Sequence, residues 1–261
     1  MRKRKLTSAL ILFSAMVIMT LMAGGAHAAP VSYDLTADTV TVNMPDGAAI
    51  PMWGFGLTGS GTVGVPGPVL EANEGDDLTI NLTNNLPEAV TIIIHGQRIV
   101  SPAPVMVDGR VMSFVPETGS FIFPNLKVGT YLYESGTHPG KQVPMGLYGV
   151  LIVRPATAGQ AYNDPVSAYD AEQVLVFSDV DPLLNAAVDS AAYGTPAYPS
   201  TVNYRPQYFL INGKAYPDTD PLAANAGENV LLRMANAGTR TYDPMVNGLR
   251  AKIIAEDGNL L

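Results

Sequence analysis

Gly129-Thr130-Tyr131-Leu132-Tyr133-Glu134-Ser135-Gly136-Thr137-His138-Pro139-Gly140, followed a few residues later by Leu147-Tyr148-Gly149-Val150-Leu151-Ile152-Val153, decides the fold class. The first run sets aromatic side chains on alternate positions as far as Glu134, then dissolves into a Ser/Gly/Thr/Pro turn. The second run is short, apolar and rich in β-branched residues. Short runs of this kind, bounded by turn chemistry, describe β-strands and leave little room for helices.

The pattern repeats outward from there. Tyr33 to Val42, Val69 to Glu71, Asp77 to Leu82, Val90 to Ile94 and Gly119 to Phe123 read as further strands. Pro45-Asp46-Gly47, Pro66-Gly67-Pro68, Asn73-Glu74-Gly75-Asp76, Asn84-Asn85, Asp108-Gly109 and Lys127-Val128-Gly129 punctuate them. Many short strands at this spacing make an all-β sandwich or barrel. The Gly54/Gly56 and Gly59/Gly61 pairs are read as a Pro/Gly-rich loop without the strand–turn–helix setting of a nucleotide cradle.

Strand pattern stops at Arg154-Pro155, and residues 156–170, rich in Ala, Gly, Asn, Asp and Pro, read as a linker between a first domain, 29–155, and a second, 171–261. Pattern resumes at Gln173 to Asp179, Tyr208 to Asn212, Asn229 to Met234 and Ala251 to Glu256. Asp181 to Pro206 is expected to be a long loop with a short helix near Leu184 to Ala192. These strands are too few to close a second sandwich, so the expectation is one complete domain followed by a truncated one.

Residues 1–28 read as a signal peptide: basic Arg2, Lys3, Arg4 and Lys5, an apolar run from Ala9 to Met22, and a small-x-small site at Ala26-His27-Ala28. The run is shorter than the ~20 residues a membrane helix needs, so cleavage after Ala28 is expected to leave an exported chain, periplasmic or extracellular, with no membrane span. Cleavage removes four of the 15 basic side chains and none of the 23 acidic ones, leaving a net charge of about −12. Such a charge repels nucleic acid. The absence of Cys excludes disulfides, thiol nucleophiles and a blue-copper thiolate within this chain.

Only three His occur, and His27 leaves with the signal peptide. His95 follows Ile92-Ile93-Ile94 at a strand end, where it reads either as a satisfied structural histidine or as a ligand. His138 lies in a turn-rich loop, a setting that suits a functional or a merely solvated histidine. Met106, Met112 and Met145 lack an M-x-x-M spacing and read as packing.

Several phrases stand in a fixed order: Gly67-Pro68-Val69-Leu70-Glu71-Ala72, Glu74-Gly75-Asp76, Asn81-Leu82-Thr83-Asn84-Asn85-Leu86, His95-Gly96, Gly129 to Ser135, and Gly146 to Val153. Phe209 to Lys214, Gly227 to Gly238 and Ala255-Glu256-Asp257-Gly258 continue the series. In this order they resemble the first two domains of the multicopper oxidases. That resemblance implies a cupredoxin-like Greek-key β-sandwich and, for a complete protein, copper as cofactor with a small reductant or metal ion and dioxygen as substrates. It also implies two H-x-H copper-binding pairs in the first domain. Here the first pair falls on Ile93 and His95, and the second on Glu134 and Gly136. His95, Glu134 and the displaced His138 are therefore the candidate metal ligands, since imidazole and carboxylate both suit Cu(II). The alternative implied by the missing histidines is a non-catalytic cupredoxin module with a binding or structural role.

Overall fold

The computed structural model describes residues 29–102, 105–107, 110–113 and 119–261. The expected signal peptide and the Asp108-Gly109 turn lie outside these residues, as do the side chains of Met106 and Met112. In chain order the strands are β1 (Pro30–Asn43), β2 (Ala49–Leu57), β3 (Leu70–Asn73), β4 (Asp77–Asn84), β5 (Ile93–Ile94), β6 (Val105–Val107), β7 (Arg110–Ser113) and β8 (Gly119–Phe123). They continue with β9 (Gly129–Glu134), β10 (Tyr148–Arg154), β11 (Ala171–Val180), β12 (Tyr208–Ile211), β13 (Lys214–Ala215), β14 (Val230–Asn236), β15 (Ala255–Glu256) and β16 (Asn259–Leu260). Among the described residues two short α-helices interrupt them, α1 (Pro139–Gln142) and α2 (Pro182–Asp189), with single 3-10 turns at Pro165–Ser167 and Thr201–Asn203.

Period two in the sequence becomes two-sidedness in the sheets. Along β4, Leu78, Ile80 and Leu82 are buried while Asp77 and Thr83 face water. The first sheet runs β2-β1-β4-β8 and the second β3-β10-β9-β5. Between them lies one apolar core, with Leu35, Phe55, Ile80 and Phe121 from the first sheet and Leu70, Tyr133, Leu151 and Val153 from the second. Each such side chain contributes about 1.5–3 kcal/mol by leaving water. β1 pairs antiparallel with β2 but parallel with β4, and β10 pairs parallel with β3, so the chain crosses between sheets as a Greek key does.

The third sheet, β13-β12-β11-β14, repeats the start of the first: β11 has an antiparallel neighbour, β12, on one side and a parallel one, β14, on the other. One of its faces packs on the first two sheets. Val180, Leu210 and Ala215 meet Met44, Ile50 and Met52, while Val176 and Ala237 meet Tyr148, Val150 and Ile152. β10 is consequently covered on both faces, and its residues alternate between the central core and this second contact. That double burial is why Leu147 to Val153 reads as an unbroken apolar run. On the other face Phe209 is 53% exposed, and Tyr242 stacks on Phe177 with ring centroids 5.5 Å apart.

Charges bolt the third sheet to the second. Arg154 binds Glu71 and Glu172, and the buried Arg233 donates through Nε to Glu172 at 2.8 Å and through Nη1 to Thr130 at 2.9 Å. Burial pushes the Glu172 carboxyl up, but the hydrogen bonds and charges of Arg154 and Arg233 outweigh it and hold its pKa at about 2.

Two expectations need correction, and a third gains detail. Gly54 and Gly56 belong to strand β2, not to a loop. A Cβ on them would lie 2.3 Å from Gly64 O and 2.1 Å from Thr62 O, because residues 58–64 fold back over the strand. The segment Asp181 to Pro206 is the expected long loop with a short helix, and it is packed down as a strap: after α2, Tyr193, Tyr198 and Tyr204 join the first core, and Asp181 accepts from Tyr198 Oη and Arg205 N at 2.9 Å each. α2 also brings Asp189 beside the almost fully buried Trp53, at a cavity of about 290 Å³. Lastly, the strand expected over Ala251 to Glu256 shrinks to β15, which turns into β16 through Asp257 and Gly258, both at positive φ.

The Glu172 bolt has a definite pH signature. A carboxyl held below its usual 4.5 stabilises the fold fully above that value and loses its contribution as pH falls towards 2. Glu172→Gln is expected to cost roughly 2–3 kcal/mol at pH 7, below the ~3–5 of a wholly buried pair because Glu172 keeps 22% of its side-chain surface exposed. It is also expected to flatten the decline in stability between pH 5 and pH 3 in urea titrations.

Candidate functional site

The two-residue strand β5 lies antiparallel against the end of β9, with Ile93 opposite Glu134 and Ile94 opposite Tyr133. Antiparallel pairing puts residues 93, 95, 134 and 136 on one face of this ribbon, the face away from the central core. Across it, His95 Nε2 and Glu134 Oε1 are 3.0 Å apart. The imidazole is 60% exposed and the carboxylate only 12%. The hydrogen bond to Glu134 raises the His95 pKa above its usual 6.5, burial opposes it, and the carboxylate charge adds to the rise. Glu134 also borders an open cavity of about 200 Å³ formed with Pro139, Val143 and Pro144 of the helical turn and with Asn236 to Thr239 beyond β14.

Ile93 and Gly136, the remaining pair, also touch. A Cβ on Gly136 would fall 2.7 Å from Ile93 Cγ2 and 3.1 Å from Thr91 Oγ1. Next to them, Thr137 Oγ1 donates to Thr91 Oγ1 at 3.1 Å.

His138 is the N-cap residue of α1, is exposed, and makes no capping bond with its side chain. The residue that orders this loop is Gln142, which the sequence did not single out. Its buried amide oxygen accepts from Ser135 Oγ at 2.6 Å and from His138 N at 3.2 Å, and its Nε2 donates to Ala89 O at 2.8 Å. A single Gln beside a Pro/Gly turn carries no pattern that would mark it. Lys141, its neighbour, pairs with Glu88 and lies 5.0 Å from the centroid of the Tyr193 ring, tying the loop to the strap.

The structure thus brings His95 and Glu134 together. Among the described residues, no three His, Asp or Glu side chains gather as a group able to hold a metal. A copper centre of the kind the motif implies needs several imidazoles. The donor set here is one ring nitrogen already engaged by one carboxylate, so the residues present do not fit it.

Residues 57–158 match the family model for multicopper oxidases. Copper resistance protein A of Escherichia coli is 28% identical over 240 residues, covering 75% of this chain and 38% of that protein. L-ascorbate oxidase of Cucumis sativus is 34% identical over 158 residues, covering 59% of this chain and 25% of its own length. Among solved structures, the multicopper oxidase mgLAC superposes with a TM-score of 0.60 at 26% identity, over 80% of this chain and 62% of its own. The first of these curated relatives is thus spanned over less than half its length.

Removal of the Gln142 amide takes its partner from the buried Ser135 Oγ and from the partly buried Ala89 O. Gln142→Ala is therefore expected to cost about 2–4 kcal/mol of unfolding free energy in chemical denaturation. His138→Ala, which removes only an exposed ring, is expected to stay within ~0.5 kcal/mol of the parent.

Proposed function

We propose that this chain is the amino-terminal part, with domains at 29–155 and 171–261, of an exported copper-dependent oxidoreductase of the multicopper oxidase family. The complete protein would pass electrons from a small reductant or metal ion to dioxygen. The observation that carries this reading is a full sandwich followed by a third sheet whose β12-β11-β14 arrangement repeats β2-β1-β4, over a chain whose similarity to copper oxidases extends through both. Copper would supply the redox chemistry. Positions 93, 95, 134 and 136 do not fit as its ligands, so its donors would be residues other than these four. What this segment contributes is placement: the Arg154–Glu172–Arg233 bolt and the doubly covered β10 fix the two sheet systems against each other.

A second reading, a non-catalytic cupredoxin module with a binding or structural role, is favoured by one specific observation. The four motif positions are closed on each other as His95–Glu134 and Ile93–Gly136.

Expression of the full-length gene product with its own leader in copper-supplemented medium separates the two. The oxidase reading expects an exported protein beginning at Ala29, copper by elemental analysis, and oxygen uptake with phenols or reduced metal ions as donors. Export without copper and without oxygen uptake would leave the module reading.

A further inference from the structure

We propose that Ile93, His95, Glu134 and Gly136 form a metal-free clasp between β5 and β9, doing by side-chain contact what an ion would do at those positions, and that no copper is held there.

Two complementary contacts carry the inference. Between positions 93 and 136 the complement is steric. With Ile93 Cγ2 only 2.7 Å from the Cβ position of Gly136, no side chain, histidine included, enters at 136 until Ile93 gives way. The branched side chain in turn needs a glycine opposite it. Between 95 and 134 the complement is polar. A carboxylate with 12% of its surface in water needs a donor, and His95 Nε2 at 3.0 Å provides it. In each pair one member has the greater need: Ile93 requires a glycine at 136, and the nearly buried Glu134 requires a donor, which the more exposed His95 supplies. The clasp also has a mechanical purpose. β5 contributes only two residues to its ladder, continued by His95 N to Leu132 O at 3.2 Å on one side and by a long Gly136 N to Thr91 O bond of 3.4 Å on the other, so side-chain contacts add to a short backbone pairing. The two side-chain contacts lie diagonally across the same ribbon and fasten its free end.

The test is a pair of double-mutant cycles in the full-length protein, read by the midpoint of thermal unfolding with added EDTA and with one added equivalent of Cu(II). Glu134→Gln and His95→Ala are each expected to lower the midpoint by about 2–4 °C, with the double variant no lower than the worse single. His95→Gln replaces His95→Ala if the latter does not accumulate. Gly136→Ala is expected to lower the midpoint in the parent and to do so less in an Ile93→Ala background. EDTA and Cu(II) are expected to leave the effects of His95→Ala and Glu134→Gln unchanged, and copper content after dialysis is expected to be the same in the parent and in His95→Ala. Additive effects in both cycles, or copper retained by the parent and lost in His95→Ala, would overturn the clasp. Copper retained equally by both would support it while placing the oxidase chemistry elsewhere, and a copper-free protein showing both couplings would sink only the oxidase reading.

Discussion

Everything in this chain leans on the burial of β10 from both sides. Its odd-numbered residues, Leu151 and Val153, belong to the central core, and its even-numbered residues, Tyr148, Val150 and Ile152, belong to the contact with the third sheet. A strand in that position has no solvent face, so neither neighbour can shift without exposing apolar surface. It also pairs with β3 on one edge and β9 on the other, which carries the Glu134 end of the candidate site. The position of the site is thus set by the strand that joins the two sheet systems, and the Arg154–Glu172–Arg233 charges act at the end of that same strand.

The site itself shows how a motif can keep its geometry and change its chemistry. Four positions remain on one face of an antiparallel ribbon, since period two leaves them no other place. What has changed is what the side chains want. Imidazoles in all four would turn towards a shared ion, whereas an isoleucine over a glycine and a histidine beside a carboxylate turn towards each other. The exposure of the His95 ring, against the near burial of Glu134, shows which partner has the greater need.

The readable parts of the sequence were those governed by periodicity. β1, β4, β8, β9, β10 and β11 fall where alternation or an apolar run places them, and α2 falls near its expected start. β2 was hidden by Gly54 and Gly56, which are small because another piece of backbone lies on them and not because the chain turns there. The strap after Asp181 was hidden for the opposite reason: its order comes from Tyr193, Tyr198 and Tyr204 reaching a distant core, and long-range aromatic contacts leave no local period. At the site, His95 and Glu134 could be named from the motif, but their contact depends on the register of β5 with β9, and the role of Gln142 depends on three loops meeting. Spacing along a chain records none of these.

Trp53 gives the molecule a property of a different kind. It is the sole indole, 5% exposed, and it sits where β2, Met145 of the helical turn and Asp189 of the strap converge. One chromophore therefore views the first sandwich, the loop bearing His138 and the arm from the second unit at once. Emission from the folded chain belongs to a buried indole with the Asp189 carboxylate at its cavity, and release of the strap alone would admit water to the ring and withdraw that carboxylate while the sheets remain intact. Fluorescence and far-ultraviolet dichroism would then part company during unfolding, so the chain carries its own optical gauge of whether the arm lets go before the sandwich does.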